Sequence, residues 1–160
     1  MPEFVIHDLT LGGGTLALSP IPGRTRHYAT DRDRLLAWRP ALVVTMTELS
    51  ELARKGAGGL PEDLAAAGIG WRHLPVRDFG TPDAATEAAW APIAAEVMAV
   101  LAQGGRVLIH CHGGCGRSGM AVLRLMIRAG EAPEAALARL RATRPCAVET
   151  PDQLAWALRA

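Results

Sequence analysis

Residues 110–119 read His-Cys-His-Gly-Gly-Cys-Gly-Arg-Ser-Gly, and the apolar run Val107-Leu108-Ile109 leads into them. Cys111 and Arg117 are separated by five residues, three of them glycine. This pattern predicts a strand, a tight loop, and a helix beginning near Gly116. A cysteine placed between a strand and a helix N-terminus faces backbone N–H groups and the positive end of the helix dipole, which favour a thiolate. The same N–H groups can cradle a tetrahedral oxyanion, because glycines let the backbone curl until successive amides converge on one centre. His112, Gly113, Gly114, Cys115 and Gly116 are the candidates for that cradle. Arg117 adds a permanently charged planar fork suited to two oxygens of one phosphate or sulfate-type anion. Ser118, next in sequence, can donate its hydroxyl to the cysteine sulfur and stabilise it as a leaving group. Together these residue types point to attack of sulfur on phosphorus.

Such attack also needs a proton donor for the departing alcohol or phenol. Asp78 is the candidate, in the stretch Val76-Arg77-Asp78-Phe79-Gly80-Thr81-Pro82-Asp83, where Gly80 and Pro82 mark a loop. A carboxyl on a loop can approach a bound ester without being packed in the core. Asp83 is the rival, but it precedes Ala84-Ala85-Thr86-Glu87 and suits a helix N-cap better.

The Cys111–Arg117 stretch resembles the signature of the cysteine-dependent protein tyrosine phosphatase superfamily. The wider pattern adds Ile21-Pro22-Gly23 and the Asp78 segment. It is similar to the compact dual-specificity-like branch related to kinase-associated phosphatase (cyclin-dependent kinase inhibitor 3). The resemblance runs over nearly the whole chain. It implies a phosphocysteine intermediate on Cys111, phosphate binding by Arg117, and Asp78 as acid and then base. It also implies a water-positioning role for Gln153, in Glu149-Thr150-Pro151-Asp152-Gln153, which matches a segment carrying two glutamines in longer tyrosine phosphatases. Glu149 departs from that pattern, since a carboxylate there should repel a phosphoryl group unless protonated or turned away.

Other readings of the same residues stand beside these. Cys111, Cys115, His110 and His112 could suggest zinc, but a zinc site pairs one Cys/His knuckle with another downstream, and Cys146 and His73 lack that spacing. No metal and no cofactor is therefore expected. Cys115 is either a small packing residue or a redox partner that traps oxidised Cys111, and Cys146 is read as a plain loop or core residue. His110 is expected to be buried and bonded to backbone, orienting the loop. Arg24, Arg26 and His27 form either a basic lip for a phosphorylated substrate or a solvated loop. Sulfur transfer would normally use a shorter loop, and a non-catalytic phosphate-binding module would normally have lost the cysteine, the arginine or the acid.

The chain of 160 residues is 49% hydrophobic, which suits a single domain over 1–160 with a sizeable core. A formal net charge of +1 gives no global case for nucleic acid or membrane binding. Three cysteines, an odd number, argue against a disulfide-stapled secreted scaffold. Met1-Pro2-Glu3-Phe4 shows no signal-peptide pattern, no run is expected to span a membrane, and a monomer in a reducing cytoplasm is expected. With one tyrosine and 4% aromatics, no deep recognition pocket is evident. The expected substrates are phosphorylated protein side chains or small phosphate esters.

The elements that must position these groups follow from periodicity and punctuation. A hairpin is predicted over 4–18, helices over 31–38, 61–67, 84–102, 116–129, 133–143 and 151–159, and strands over 41–46, 70–76 and 106–110. Thr47 is expected to cap a helical turn containing Glu48, Leu49 and Leu52. Strands alternating with helices predict an α/β fold with a central, mostly parallel sheet flanked by helices, as in protein tyrosine phosphatases of dual-specificity type.

Overall fold

The strand that leads into Cys111 is the middle one of a five-stranded mixed sheet, β1-β2-β5-β3-β4, in a computed structural model that describes residues 3–160. Met1 and Pro2, where the reading of the N-terminus began, lie outside those residues. β1 (His7–Leu11) and β2 (Gly14–Ser19) form an antiparallel hairpin. β3 (Leu42–Thr45), β4 (Gly70–His73) and β5 (Arg106–His110) run parallel to one another, and β2 is parallel to β5. The mostly parallel sheet expected from the sequence is therefore present.

Both sheet faces are covered, so the central strands carry continuous apolar runs whose side chains split by parity. Leu16, Leu18, Leu42, Val44, Val107 and Ile109 point to one core, and Ala17, Val43 and Leu108 to the other. The first core is roofed by α4 (Ala84–Ala102), α5 (Gly116–Arg128), α6 (Pro133–Thr143) and α7 (Pro151–Ala157). The second lies beneath α1 (Tyr28–Trp38), α2 (Leu49–Arg54) and α3 (Leu60–Ala66). α5 is buried almost throughout its first eleven residues, so the helix that begins at the loop also forms the centre of the larger core.

Several boundaries differ from expectation. α1 starts at Tyr28 rather than residue 31, and β1 starts at His7 rather than residue 4. β4 ends at His73, just ahead of Pro75, although the Leu74 and Val76 amides still donate to the Thr45 and Met46 carbonyls at 2.9 and 3.1 Å. Thr47 does not cap α2. Glu48 stands at that cap, where its amide donates to Glu51 Oε2 at 2.8 Å. α4 is long and apolar enough to cross a membrane by length and composition, which the sequence reading missed. In this fold it packs Trp90, Ala94, Val97 and Leu101 into the first core.

Candidate active site

The loop between β5 and α5 is shaped by what happens to its carbonyls. The His112 carbonyl accepts from the Ile21 amide at 3.0 Å, and the Cys115 carbonyl from the Gly119 and Val148 amides at 3.0 and 3.1 Å. Arg144 holds two more: its Nη2 donates to Gly113 O at 2.9 Å and its Nε to Gly114 O at 3.2 Å. Arg24 Nη1 also reaches Gly113 O, at 3.5 Å. With the carbonyls drawn outward, the amides of residues 112–115 are left without an acceptor among the described residues. The first amides of α5 are free by helix geometry. This is an anion cradle made of backbone.

Two glycines are required by this geometry. Gly114 has φ +71°, and a Cβ there would lie 2.6 Å from the Ser19 carbonyl carbon. A Cβ on Gly116 would collide with the Glu149 carboxylate and come within 2.8 Å of Gln153 Oε1.

Cys111 is buried at the loop's start, with Sγ 3.2 Å from Ser118 Oγ, as the proposed assistance to the sulfur requires. Beneath it, His110 is fully buried. Burial is the main reason its pKa falls to about 4, so it is neutral. Trp71 Nε1 donates to Thr45 Oγ1 at 2.8 Å, and Thr45 Oγ1 lies 2.7 Å from His110 Nε2. His110 Nδ1 is 3.4 Å from the Cys111 carbonyl, which can only accept. Satisfying every group assigns the proton to Nδ1 and makes Nε2 the acceptor of the threonine hydroxyl. His110 thus ties β3 and β4 to the loop, as an orienting residue.

Arg117 is fixed by a residue absent from the sequence reading. Its Nη1 and Nη2 pair with Glu51 Oε2 and Oε1 at 2.8 and 2.9 Å, in a buried bidentate clamp, and Nη1 also donates to Val76 O at 2.9 Å. Burial alone would raise the Glu51 carboxyl, but the hydrogen bonds from Arg117 and the Glu48 amide override it and hold it below its usual range. Asp78 Oδ1 lies 3.2 Å from Arg117 Nη2, on a half-exposed side chain. The exposed Phe79 beside it has φ +61°. Asp83 caps α4, its Oδ1 accepting from the Thr86 amide at 2.9 Å.

Gln153 is brought to the site and is fully buried. Its Oε1 accepts from the Glu149 and Thr150 amides at 2.9 and 3.3 Å, and its Nε2 donates to Gly80 O at 3.2 Å. The side chain thus links the start of α7 to the Asp78 loop.

The cysteines are paired differently from expectation. Cys115 bonds to Cys146, 31 residues away, and Cys111 is the free thiol. Cys115 is therefore neither a loose packing residue nor placed to trap Cys111, and Cys146 is not a plain core residue. A bond of this kind persists in oxidising surroundings and is opened in reducing ones. Closing a loop of this length should stabilise the fold by about 3–4 kcal/mol. Chemical denaturation with and without dithiothreitol is expected to show that loss. An unchanged midpoint would mean that the pair does not form in solution.

Fold and loop together define a phosphatase architecture of the dual-specificity type. The chain belongs to the family described as "Tc-R-P: Polymorphic toxin system, DSP-PTPase phosphatase", whose model matches residues 23–131. It is 30% identical over 135 residues to cyclin-dependent kinase inhibitor 3 of Mus musculus, covering 81% of this chain and 63% of that one. It is 32% identical over 96 residues to protein tyrosine phosphatase domain-containing protein 1 of Bos taurus, covering 59% of this chain and 12% of that protein. The chain thus spans less than two thirds of either curated relative. Among solved structures, kinase-associated phosphatase with its catalytic cysteine replaced by serine superimposes with a TM-score of 0.84 at 26% identity, covering 98% and 93% of the two chains. Tk-PTP in its active form gives 0.73 at 28% identity, covering 96% and 95%.

Proposed function

We propose that this chain hydrolyses phosphomonoesters through a phosphocysteine on Cys111. The observation that carries the reading is the backbone cradle closed over a buried thiol, with a clamped arginine at its far end. The ester's phosphate enters the cradle and the Arg117 fork. Cys111 Sγ attacks phosphorus, the S–P bond forms, and the P–O bond to the alcohol breaks as Asp78 delivers its proton to the leaving oxygen. Water then attacks phosphorus, Asp78 takes its proton, and the P–S bond breaks. Ser118 stabilises the released sulfur.

Arg117 donates from Nη1 to Glu51 and Val76 and from Nη2 to Glu51, and the Asp78 carboxylate lies 3.2 Å from Nη2 as an ion pair. The second Nη2 hydrogen and the Nε–H remain for phosphate, and the Asp78 carboxylate beside Nη2 must give way to the incoming anion. That exchange frees the carboxyl to meet the leaving group. The exposed Phe79 beside Asp78 offers an apolar surface that suits phosphorylated protein side chains and small aryl phosphates.

The test is a leaving-group series. Asp78→Asn should slow hydrolysis about 10²–10³-fold for alkyl phosphates and much less for para-nitrophenyl phosphate, whose phenolate needs little protonation. If Asp83→Asn shows that dependence and Asp78→Asn does not, the acid has been misassigned.

A further inference from the structure

Beside the cradle lies an open cleft of about 460 Å³ framed by Arg26, Tyr28, Arg54, Lys55 and Gly56. Its cations come from two separate segments. Arg26 lies in the loop before α1, and Arg54 and Lys55 lie at the end of α2. None of the three has a carboxylate partner among the described residues. This concentration stands out in a chain whose formal net charge is only +1.

The cleft's framework is held in place by other contacts. Arg26 adopts φ +70°, a conformation unfavourable for a side chain of this kind, and its amide is pinned to Gly23 O at 2.9 Å. The Gly23 amide is anchored on the buried Asp31 carboxylate at 2.8 Å. Tyr28 donates its hydroxyl to Asp63 at 2.7 Å, and Arg32 also approaches that carboxylate, at 3.4 Å. Asp31, Glu51 and Asp63 are thus engaged, and Glu48 sits at the opposite end of α2.

Cleft and cradle are neighbours through residues 23 and 24, since Gly23 packs against the Lys55 carbonyl and Arg24 reaches the Gly113 carbonyl. α2 carries Glu51, which clamps Arg117, and Lys55 follows four residues later at the helix's C-cap, about 6 Å along the axis. Arg24 stands at the cradle's edge, with its Nη1 3.5 Å from Gly113 O. His112 in the cradle has its pKa lowered by burial and then by the charges of Lys55 and Arg24. His27 does not belong here. It faces another hollow, with Phe4 and Arg34.

From this placement we infer that the cleft formed by Arg26, Arg54 and Lys55 is a second anion subsite. It selects phosphomonoesters that carry a further phosphate or carboxylate near the scissile one. The inference rests on the phosphatase reading above and names the substrate class of the same site. The second anion docks between the C-terminal end of α2 and the Arg26 loop while the first occupies the cradle.

The experiment compares kcat/KM for matched pairs. One pair is a phosphotyrosine peptide flanked by alanines and the same peptide with a second phosphorylated residue. The other is a sugar monophosphate and its bisphosphate. Para-nitrophenyl phosphate reports the chemistry alone. Wild type is expected to favour the doubly charged member of at least one pair by about 10-fold at low salt, with the preference shrinking as salt is raised. A preference confined to the peptide pair assigns a polypeptide source, and one confined to the sugar pair assigns a small metabolite. The exposed-side variant Arg54→Gln/Lys55→Gln should erase the preference and leave para-nitrophenyl phosphate turnover within about twofold, as expected for groups that do not touch the reacting atoms. Equal rates within both pairs in wild type would overturn the inference, as would a preference that survives the double variant. Absence of para-nitrophenyl phosphate turnover in wild type would instead mark failure of the phosphatase reading itself.

Discussion

Cys111→Ser is expected to take hydrolysis of para-nitrophenyl phosphate below detection, a loss of at least about 10⁴-fold, while the protein still binds phosphate. The two outcomes separate because they depend on different atoms. Turnover needs the sulfur that forms and breaks the bond to phosphorus. Binding needs the amides of residues 112–115 and the Arg117 fork, and none of these is altered by exchanging sulfur for oxygen. Because the side chain is buried and the change is nearly isosteric, the fold should be retained. Activity measured in EDTA and phosphate binding measured by calorimetry test the two halves. Retained turnover in the serine variant would remove Cys111 from the mechanism. Loss of binding along with turnover would mean that the sulfur, and not the backbone, is the main anion contact. The assay should be run without strong reductant as well as with it, since the Cys115–Cys146 bond holds one residue of the cradle.

The cradle was legible in the sequence because its parts are neighbours along the chain. Cys111, the glycines, Arg117 and Ser118 fall within eight residues, and the strand and helix around them carry strong apolar patterns. The two-sided sheet was legible for the same reason, since its central strands are short, continuous apolar runs. What was hidden lies far along the chain. Glu51 is 66 positions from Arg117 and sits on a six-residue helix that, read alone, looks like a solvated acidic turn. Arg144 follows an ordinary basic helix, and nothing in that stretch says that its fork will take the carbonyls of Gly113 and Gly114. The partner of Cys115 depends on how the segment after α6 returns over α5, which no spacing rule encodes. Arg54 and Lys55 read as cations suited to a helix C-terminus. Only the fold shows the Arg26 loop opposite them. Local pattern thus reveals the candidate loop, whereas the groups that hold it are chosen by tertiary contact.

Glu51 is the residue on which that distinction can be tested most sharply. Glu51→Gln is expected to lower stability by about 3–5 kcal/mol, because it leaves the Arg117 guanidinium buried without its counter-charge. The pH dependence should change with it. Glu51's carboxyl titrates lower in the folded protein than in the unfolded chain, so the unfolded chain binds more protons as acid is added. The clamp's contribution is therefore fully present above about pH 4.3, the unfolded value, and is lost as pH falls through the lower folded value. The variant lacks that group and should show a correspondingly flatter melting curve against pH in the acid range. Phosphate supplies the missing negative charge to the same arginine, so it should raise the melting temperature of Glu51→Gln more than that of wild type. Catalysis should suffer as well, since an unclamped fork no longer presents its donors in a fixed plane. A stability loss under about 1 kcal/mol, with no added response to phosphate, would show that Arg117 is held by Val76 and Asp78 alone and that the buried clamp contributes little.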